Sequence, residues 1–277
     1  MIGQAERLIE LNKLKASQGK LPGKGQIIAF SSGKGGTGKT FVCLNTAYAL
    51  SKMNKKVLVI DLDANLSNIN IMLNIKPEKT LINFYQHKNS LKELITVFER
   101  HLHFIFGDSG RIDYPNTNEK DIDFMLNEIW DMCQEYDYIF LDIGAGATED
   151  IIYLLKNVHT NILIINPEPT AIMDAYVIIK LMNSAGSSTK NFIVVNRCFT
   201  EDDAKTAFNN LSMAASHFLK ETVVLLGSVE VDQNVNKCIM SQELYLKKIP
   251  RAKVSMQLIK LAQNIVQRTR MSETKSR

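Results

Sequence analysis

Cysteine is scarce and scattered: Cys43, Cys133, Cys198 and Cys238 lie far apart, with no CxxC pair. That spacing argues against a disulfide framework, a structural zinc site or a sequence-local iron–sulfur motif. Long hydrophobic runs are also missing, since no stretch approaches the ~20 uninterrupted apolar residues of a spanning helix. The N-terminus, MIGQAERLIELNKLK, has charges at every third or fourth position and no apolar signal core. The expectation is therefore a cytoplasmic chain that is not exported. There is no internal repeat and no low-complexity tract. An excess of one charge is lacking too: 33 basic against 29 acidic residues in 277 leave +4, too mild to mark a nucleic-acid binder.

What is present is the composition of a folded domain, 45% hydrophobic and 22% charged. The charge is unevenly spread. Residues 1–25 carry five basic and two acidic side chains, and residues 247–277 carry nine and one, so the body is acidic and the C-terminal end basic. From 4 to 15, Ala5, Leu8, Ile9, Leu11 and Leu14 recur at helical spacing, and 17–25 (SQGKLPGKG) is a polar, turn-rich linker. The helix reads either as docked on its own domain or as a partner-recruiting arm. From residue 26, apolar strands alternate with helical patterns. Strands are expected at 27–31, 57–61, 103–106, 138–142, 161–166, 191–196 and 223–229. Helices are expected at 40–53, 122–134, 171–183 and 202–218. Nearly continuous apolar runs fit strands buried on both faces, so the fold class is α/β, one doubly wound, mainly parallel sheet.

The strongest signal is Gly33-Lys34-Gly35-Gly36-Thr37-Gly38-Lys39-Thr40, between the first strand and its following helix. It satisfies G-x-x-x-x-G-K-[ST] in a strand–loop–helix context, the phosphate-binding P-loop. Glycines let the backbone wrap a phosphate, and the amides and helix N-terminus supply a positive cradle. Lys39 is expected on the β- and γ-phosphates, and the Thr40 hydroxyl on Mg²⁺. Asp61-Leu62-Asp63 closes the second strand, with both carboxylates on one side at the sheet's C-terminal edge. Asp142, followed by Ile143-Gly144-Ala145-Gly146, ends another apolar strand as a Walker B-like carboxylate. The expected ligands are ATP and Mg²⁺.

With Lys34 early in the loop, GKGGTGKT resembles the deviant Walker A motif of the MinD/ParA-type ATPases. The stretches SSGKGGTGKT, VLVIDLDANLSN, YIFLDIGAGATEDI, INPEPTAIMDAYVIIK and IVVNR, with GQAERLIEL, resemble that family's flagellar branch, the number regulators of the FlhG type (also FleN or YlxH). The resemblance implies an ATP-hydrolysing switch that dimerises on ATP and regulates flagellar number or placement. It implies that Lys34 reaches a partner protomer's ATP, Asp63 positions the hydrolytic water, and Asp61 and Asp142 bind or support Mg²⁺ with Thr40. It also implies nucleotide contacts from Phe41, Asn196 (to adenine) and Arg197, with Pro167, Glu168 and segment 229–233 nearby. Implied partners are a second copy, the GTPase FlhF and flagellar basal-body or regulatory proteins.

Departures are visible. The family's N-terminal motif reads DQAxxLR, and Gly3 and Ile9 replace its first and last residues. Asn65 and Ser67 stand where the family usually has Gly and Ala, and Phe41 is bulkier than usual. The layout read from sequence is an N-terminal helix and linker (1–25), a P-loop ATPase domain (26–246) and a basic C-terminal amphipathic helix and tail (247–277). In that last segment Val254, Leu258, Leu261, Ala262 and Ile265 form a stripe, widened by Ile259 and Val266, with Lys253 and Lys260 opposite and Arg268 and Arg270 at the end. The pattern suits an interfacial helix on an anionic membrane surface or a helix packed on the sheet. The resemblance implies a helix that docks in one nucleotide state and is freed in the other.

Other functions share the fold, among them a MinD-like positioning ATPase acting on another cargo. A ParA-like partitioning ATPase would bind DNA non-specifically, which the acidic body disfavours. A nitrogenase-type iron–sulfur reductase needs cysteines beside Asp142, and 142–149 holds none. A P-loop scaffold without turnover is opposed by the intact Asp63 and Asp142. His101 and His103 flank Leu102 at strand spacing, with no neighbouring ligands to complete a metal site. The eleven methionines read as core filling.

Overall fold

The computed structural model describes residues 25–63, 67–108 and 119–275. The helix expected at 4–15, the linker before Gly25, and Asn65 lie outside the described residues, as does the Arg270 side chain. In chain order the strands are β1 (Gln26–Ser31), β2 (Val57–Leu62), β3 (Thr96–Glu99), β4 (Leu102–Ile105), β5 (Tyr138–Ile143), β6 (Thr160–Ile165), β7 (Lys190–Cys198) and β8 (Val224–Glu230). They form one sheet ordered β3-β4-β2-β5-β1-β6-β7-β8. Only β3, on β4, pairs antiparallel.

Alternation along each strand divides its side chains between two cores. In β1, Ile27 and Ala29 face one core, and Ile28 and Phe30 face the other. Both faces are covered, which is why these strands read as unbroken apolar runs. The helices are α1 (Lys39–Lys52), α2 (Ile69–Met72), α3 (Leu81–Tyr85), α4 (Glu119–Met132), α5 (Glu149–Lys156), α6 (Pro169–Ser184), α7 (Glu201–Ala214), α8 (Gln233–Met240), α9 (Tyr245–Lys248) and α10 (Lys253–Lys275). Helices α4 to α7 bury their apolar residues in the first core; α1, α9 and α10 fill the second.

All seven expected strands are present, and β3 is an eighth. The helix expected at 202–218 is α-helical to Ala214 and then widens into a π turn, Ala215–Leu219. In α10 the stripe Val254, Leu258, Leu261, Ala262 and Ile265 is buried at 0–3% exposure. Its apolar face packs on the sheet, and Asn264 donates from Nδ2 to the Leu226 carbonyl at 2.7 Å. Among the described residues, no helix is long and apolar enough to cross a membrane.

Candidate nucleotide site

The loop from β1 into α1 carries the glycine-rich motif to the C-terminal edge of the sheet, where β2 and β5 also end. Gly36 and Gly38 adopt φ of +79° and +85°, a left-handed conformation that side chains other than glycine resist. A Cβ on Gly38 would also stand 2.3 Å from Asn196 Nδ2, whereas one on Gly35 or Gly36 would meet nothing within 4 Å. The loop is closed on the protein side and open on the other.

Parallel pairing sets Asp61 of β2 directly beside Asp142 of β5. Lys39 Nζ donates to Asp142 Oδ1 at 2.8 Å and lies 3.9 Å from Asp63 Oδ2. Thr40 Oγ1 donates to the other Asp142 oxygen at 2.7 Å. Asp61 is fully buried and accepts from Ser67 Oγ at 2.5 Å, Asp63 N at 3.2 Å and Ile69 N at 3.3 Å. Burial, together with the charge of Asp142, pushes the Asp61 carboxyl up to about 6. Burial also raises Asp63, with Lys39 opposing it. For Lys39 itself burial works against the charge, but Asp142, with Asp63 and Asp61 behind it, holds the ammonium above its ordinary range. Three carboxylates thus share one lysine, an excess of buried negative charge that a hard divalent cation would offset.

The residues fit Mg-nucleotide on two further counts. Thr37 Oγ1 is buried and without a hydrogen-bond partner, which is costly unless something bound accepts from it. Hard oxygen donors from Asp61, Asp142 and Thr40 sit together, the type of ligand magnesium takes. Lys34 stands at the outer rim, where its Nζ pairs with Glu168 Oε2 at 3.1 Å, both side chains about half exposed.

Other expected residues have contacts or conformations of their own within the protein. Asn196 is buried, and its Nδ2 donates to the Thr37 carbonyl at 2.7 Å, so it braces the loop. Arg197 is exposed with φ +56°. The Phe41 ring is buried and packs edge-on against Tyr245, centroids 5.6 Å apart. In 229–233, Asp232 accepts from the Asn234 N–H at 2.7 Å and starts α8. His103 shares a 2.7 Å hydrogen bond with Tyr136 OH. Two contributors lie in the quoted stretches but were given no site role from sequence. Asn166, at the end of β6, donates to the Thr37 carbonyl at 3.2 Å and the Asn196 carbonyl at 3.3 Å with its amide suitably oriented. Ser67 holds Asp61. Their strand-end and loop positions beside the motif were the available clue.

Known proteins agree with this architecture. The chain is 25% identical over 240 residues to the antiactivator FleN of Pseudomonas aeruginosa, covering 87% of this chain and 86% of that protein. It is 28% identical over 267 residues to the flagellum site-determining protein YlxH of Helicobacter pylori, covering 95% and 90%. Its fold matches the septum site-determining protein MinD, complexed with Mg-ADP, from Pyrococcus horikoshii OT3, with TM-score 0.74 at 23% identity over 87% of this chain and 96% of that one. The ParA family model, described as NUBPL iron-transfer P-loop NTPase, matches residues 24–266. With that match spanning the sheet and the whole site, the chain belongs to the ParA family of P-loop NTPases.

Proposed function

We propose that the protein is an ATP-hydrolysing, ATP-dimerised switch of the FlhG type that governs flagellar number or placement. The observation that carries the chemistry is the convergence of Lys39 and Thr40 on the two oxygens of Asp142, at 2.8 and 2.7 Å, beneath an open glycine loop. Bound Mg-ATP supplies the phosphoryl group to be transferred to water. Lys39 and the loop amides bind its phosphates, which requires Lys39 to exchange part of its pairing with Asp142. Thr40, Asp61 and Asp142 would hold the magnesium, which offsets phosphate charge when bound. Asp63, nearer the surface, orients the attacking water, and Lys34 serves the partner protomer's nucleotide. Gly33, Gly35, Gly36, Thr37, Gly38, Phe41, Asn196 and Arg197 complete the nucleotide contacts. The flagellar role is supported by FleN and YlxH, both similar over most of their length. Through the same likeness, FlhF and basal-body proteins are the expected partners, and release of α10 to an anionic membrane is the expected accompaniment of dimerisation.

The cysteines do not suit iron transfer. All four cysteines are buried, and burial drives the Cys43 thiol well above its ordinary range. None is placed as an exchangeable thiolate ligand.

Phosphate release tests the chemistry. Turnover should be slow, ~10⁻⁴–10⁻² s⁻¹ as in unassisted switch-type P-loop enzymes, and Asp63→Ala should abolish it while ATP still binds. Wild-type turnover in Asp63→Ala would remove Asp63 from the water-orienting role. Counting flagella by electron microscopy in cells deleted for the gene tests the biological role. Altered number or position is expected; an unchanged pattern would reject it and leave the ATPase standing.

A further inference from the structure

Away from the nucleotide site, α4 carries an exposed aromatic surface. Phe124 is 48% exposed and stacks on Phe84 with centroids 5.2 Å apart and planes 12° from parallel. His87 meets Phe124 edge-on at 6.2 Å. With Tyr85 and Asp121 these rings line a pit of about 40 Å³, too small for a nucleotide but large enough for the tip of one aliphatic side chain. The helix around it is acidic: Glu119, Asp121, Asp123, Glu128 and Asp131 stand against Lys120 alone. Asp123 accepts from Tyr153 OH and Glu128 from the Leu91 N–H, while Asp131 is exposed toward solvent.

The chain enters the described structure at the end of this same helix. The Gly25 N–H donates to the Cys133 carbonyl at 3.0 Å, one residue past the end of α4. A Cβ on Gly25 would stand 2.4 Å from the Tyr136 carbonyl, so the exit point is pinned there. Upstream lie residues 1–24, with Arg7, Lys13, Lys15, Lys20 and Lys24 against Glu6 and Glu10, and with Leu8, Ile9, Leu11 and Leu14 at helical spacing. The nine residues 16–24 can span up to about 30 Å, and α4 is about 21 Å long. The tether can therefore lay the 4–15 segment along any part of α4. Within 4–15, Arg7, Lys13 and Lys15 outnumber Glu6 and Glu10 by one, so a weakly basic segment faces a strongly acidic helix; the anchor pit matches the tip of an aliphatic side chain, and the attachment point fixes a high effective concentration.

We propose that residues 4–15 dock in cis on the outer face of α4, with a leucine or isoleucine of the segment in the Phe84–Phe124 pit and its basic residues against the acids of α4. Docked there, the segment is withheld from any partner protein it would recruit, so partner capture and cis docking compete.

Amide hydrogen exchange on the full-length protein tests this. An isolated helix of this length is marginal in water, so protection of residues 5–15 reports docking. Slowing by about tenfold or more over the unstructured rate is expected. Phe124→Ser and, separately, Asp131→Lys should each return the segment toward that rate, and raised salt should do so partially because exposed charges are screened. Asp131→Lys carries the test if Phe124→Ser fails to fold. Unprotected wild-type amides, or protection unmoved by both substitutions, would overturn the proposal. So would protection lost on tenfold dilution, which would place the segment on a second copy.

Discussion

Lys39 faces three carboxylates, and its closest partner, Asp142, also holds the Thr40 hydroxyl. The groups proposed to bind phosphate and metal are thus pre-assembled around Asp142 before any ligand arrives, with net negative charge left for a cation to offset. Replacing Lys39 by Ala removes the cation that bridges to phosphate. Charge-assisted hydrogen bonds contribute about 1.5–3 kcal/mol each, so ATP affinity should fall on the order of 100-fold. Isothermal titration reads this, with circular dichroism to verify that the fold survives loss of the buried pair. Unchanged affinity would remove the loop from the binding site. At this scale the sequence was most informative where chemistry is local: Gly33–Thr40, Asp61, Asp63 and Asp142 are contiguous motifs or strand ends. Ser67 was legible only as a departure from the family pattern, not as the donor to Asp61 six residues away, and the role of Asn166 was illegible because it depends on which strand lies beside which. Asn196, expected on adenine, also braces the Thr37 carbonyl, a contact spanning 159 positions that no local pattern encodes.

At the scale of elements, burial on both faces made seven strands readable. Strand β3 escaped because it is a four-residue edge strand whose Val97 is 65% exposed; it is held by Phe98 packing edge-on against Phe104. The α10 stripe was visible, but its use was not, since a lipid-facing and a core-facing stripe look alike in sequence. In the structure Leu258 is fully buried, so Leu258→Ala should cost about 2–5 kcal/mol in urea unfolding. A cost near zero would mean that the packed arrangement does not prevail in solution. A second element-level device joins β1 to the start of β6. The Ile27 N–H donates to His159 Nδ1 at 2.9 Å, the ring lies 4.6 Å from Trp130, and burial pushes its pKa down to about 4. Between its unfolded value near 6.5 and about 4, the unfolded chain binds a proton that the native state refuses, so stability falls as pH falls through that window. The loss approaches about 3 kcal/mol by pH 4. His159→Gln should flatten that part of the pH profile of urea midpoints; an equally steep profile would assign the loss elsewhere.

For the whole molecule, the decisive residue is at the rim. Lys34 is held by Glu168 across 134 positions of sequence, but both side chains are about half exposed. Such a pair contributes only about 0–1 kcal/mol, so Lys34 can leave it for a stronger anionic partner. Lys34→Ala should therefore spare most ATP binding by the monomer and impair ATP-dependent dimerisation. If α10 is released only in the dimer, the same change should also reduce sedimentation with anionic liposomes, an effect that shrinks at high salt. The direct test of the switch is the molar mass of Asp63→Ala by light scattering. With Mg-ATP the account predicts twice the mass of the chain, with ADP the mass of one chain, and with Lys34→Ala added, one chain in both; a single-chain mass for Asp63→Ala in saturating Mg-ATP would contradict it.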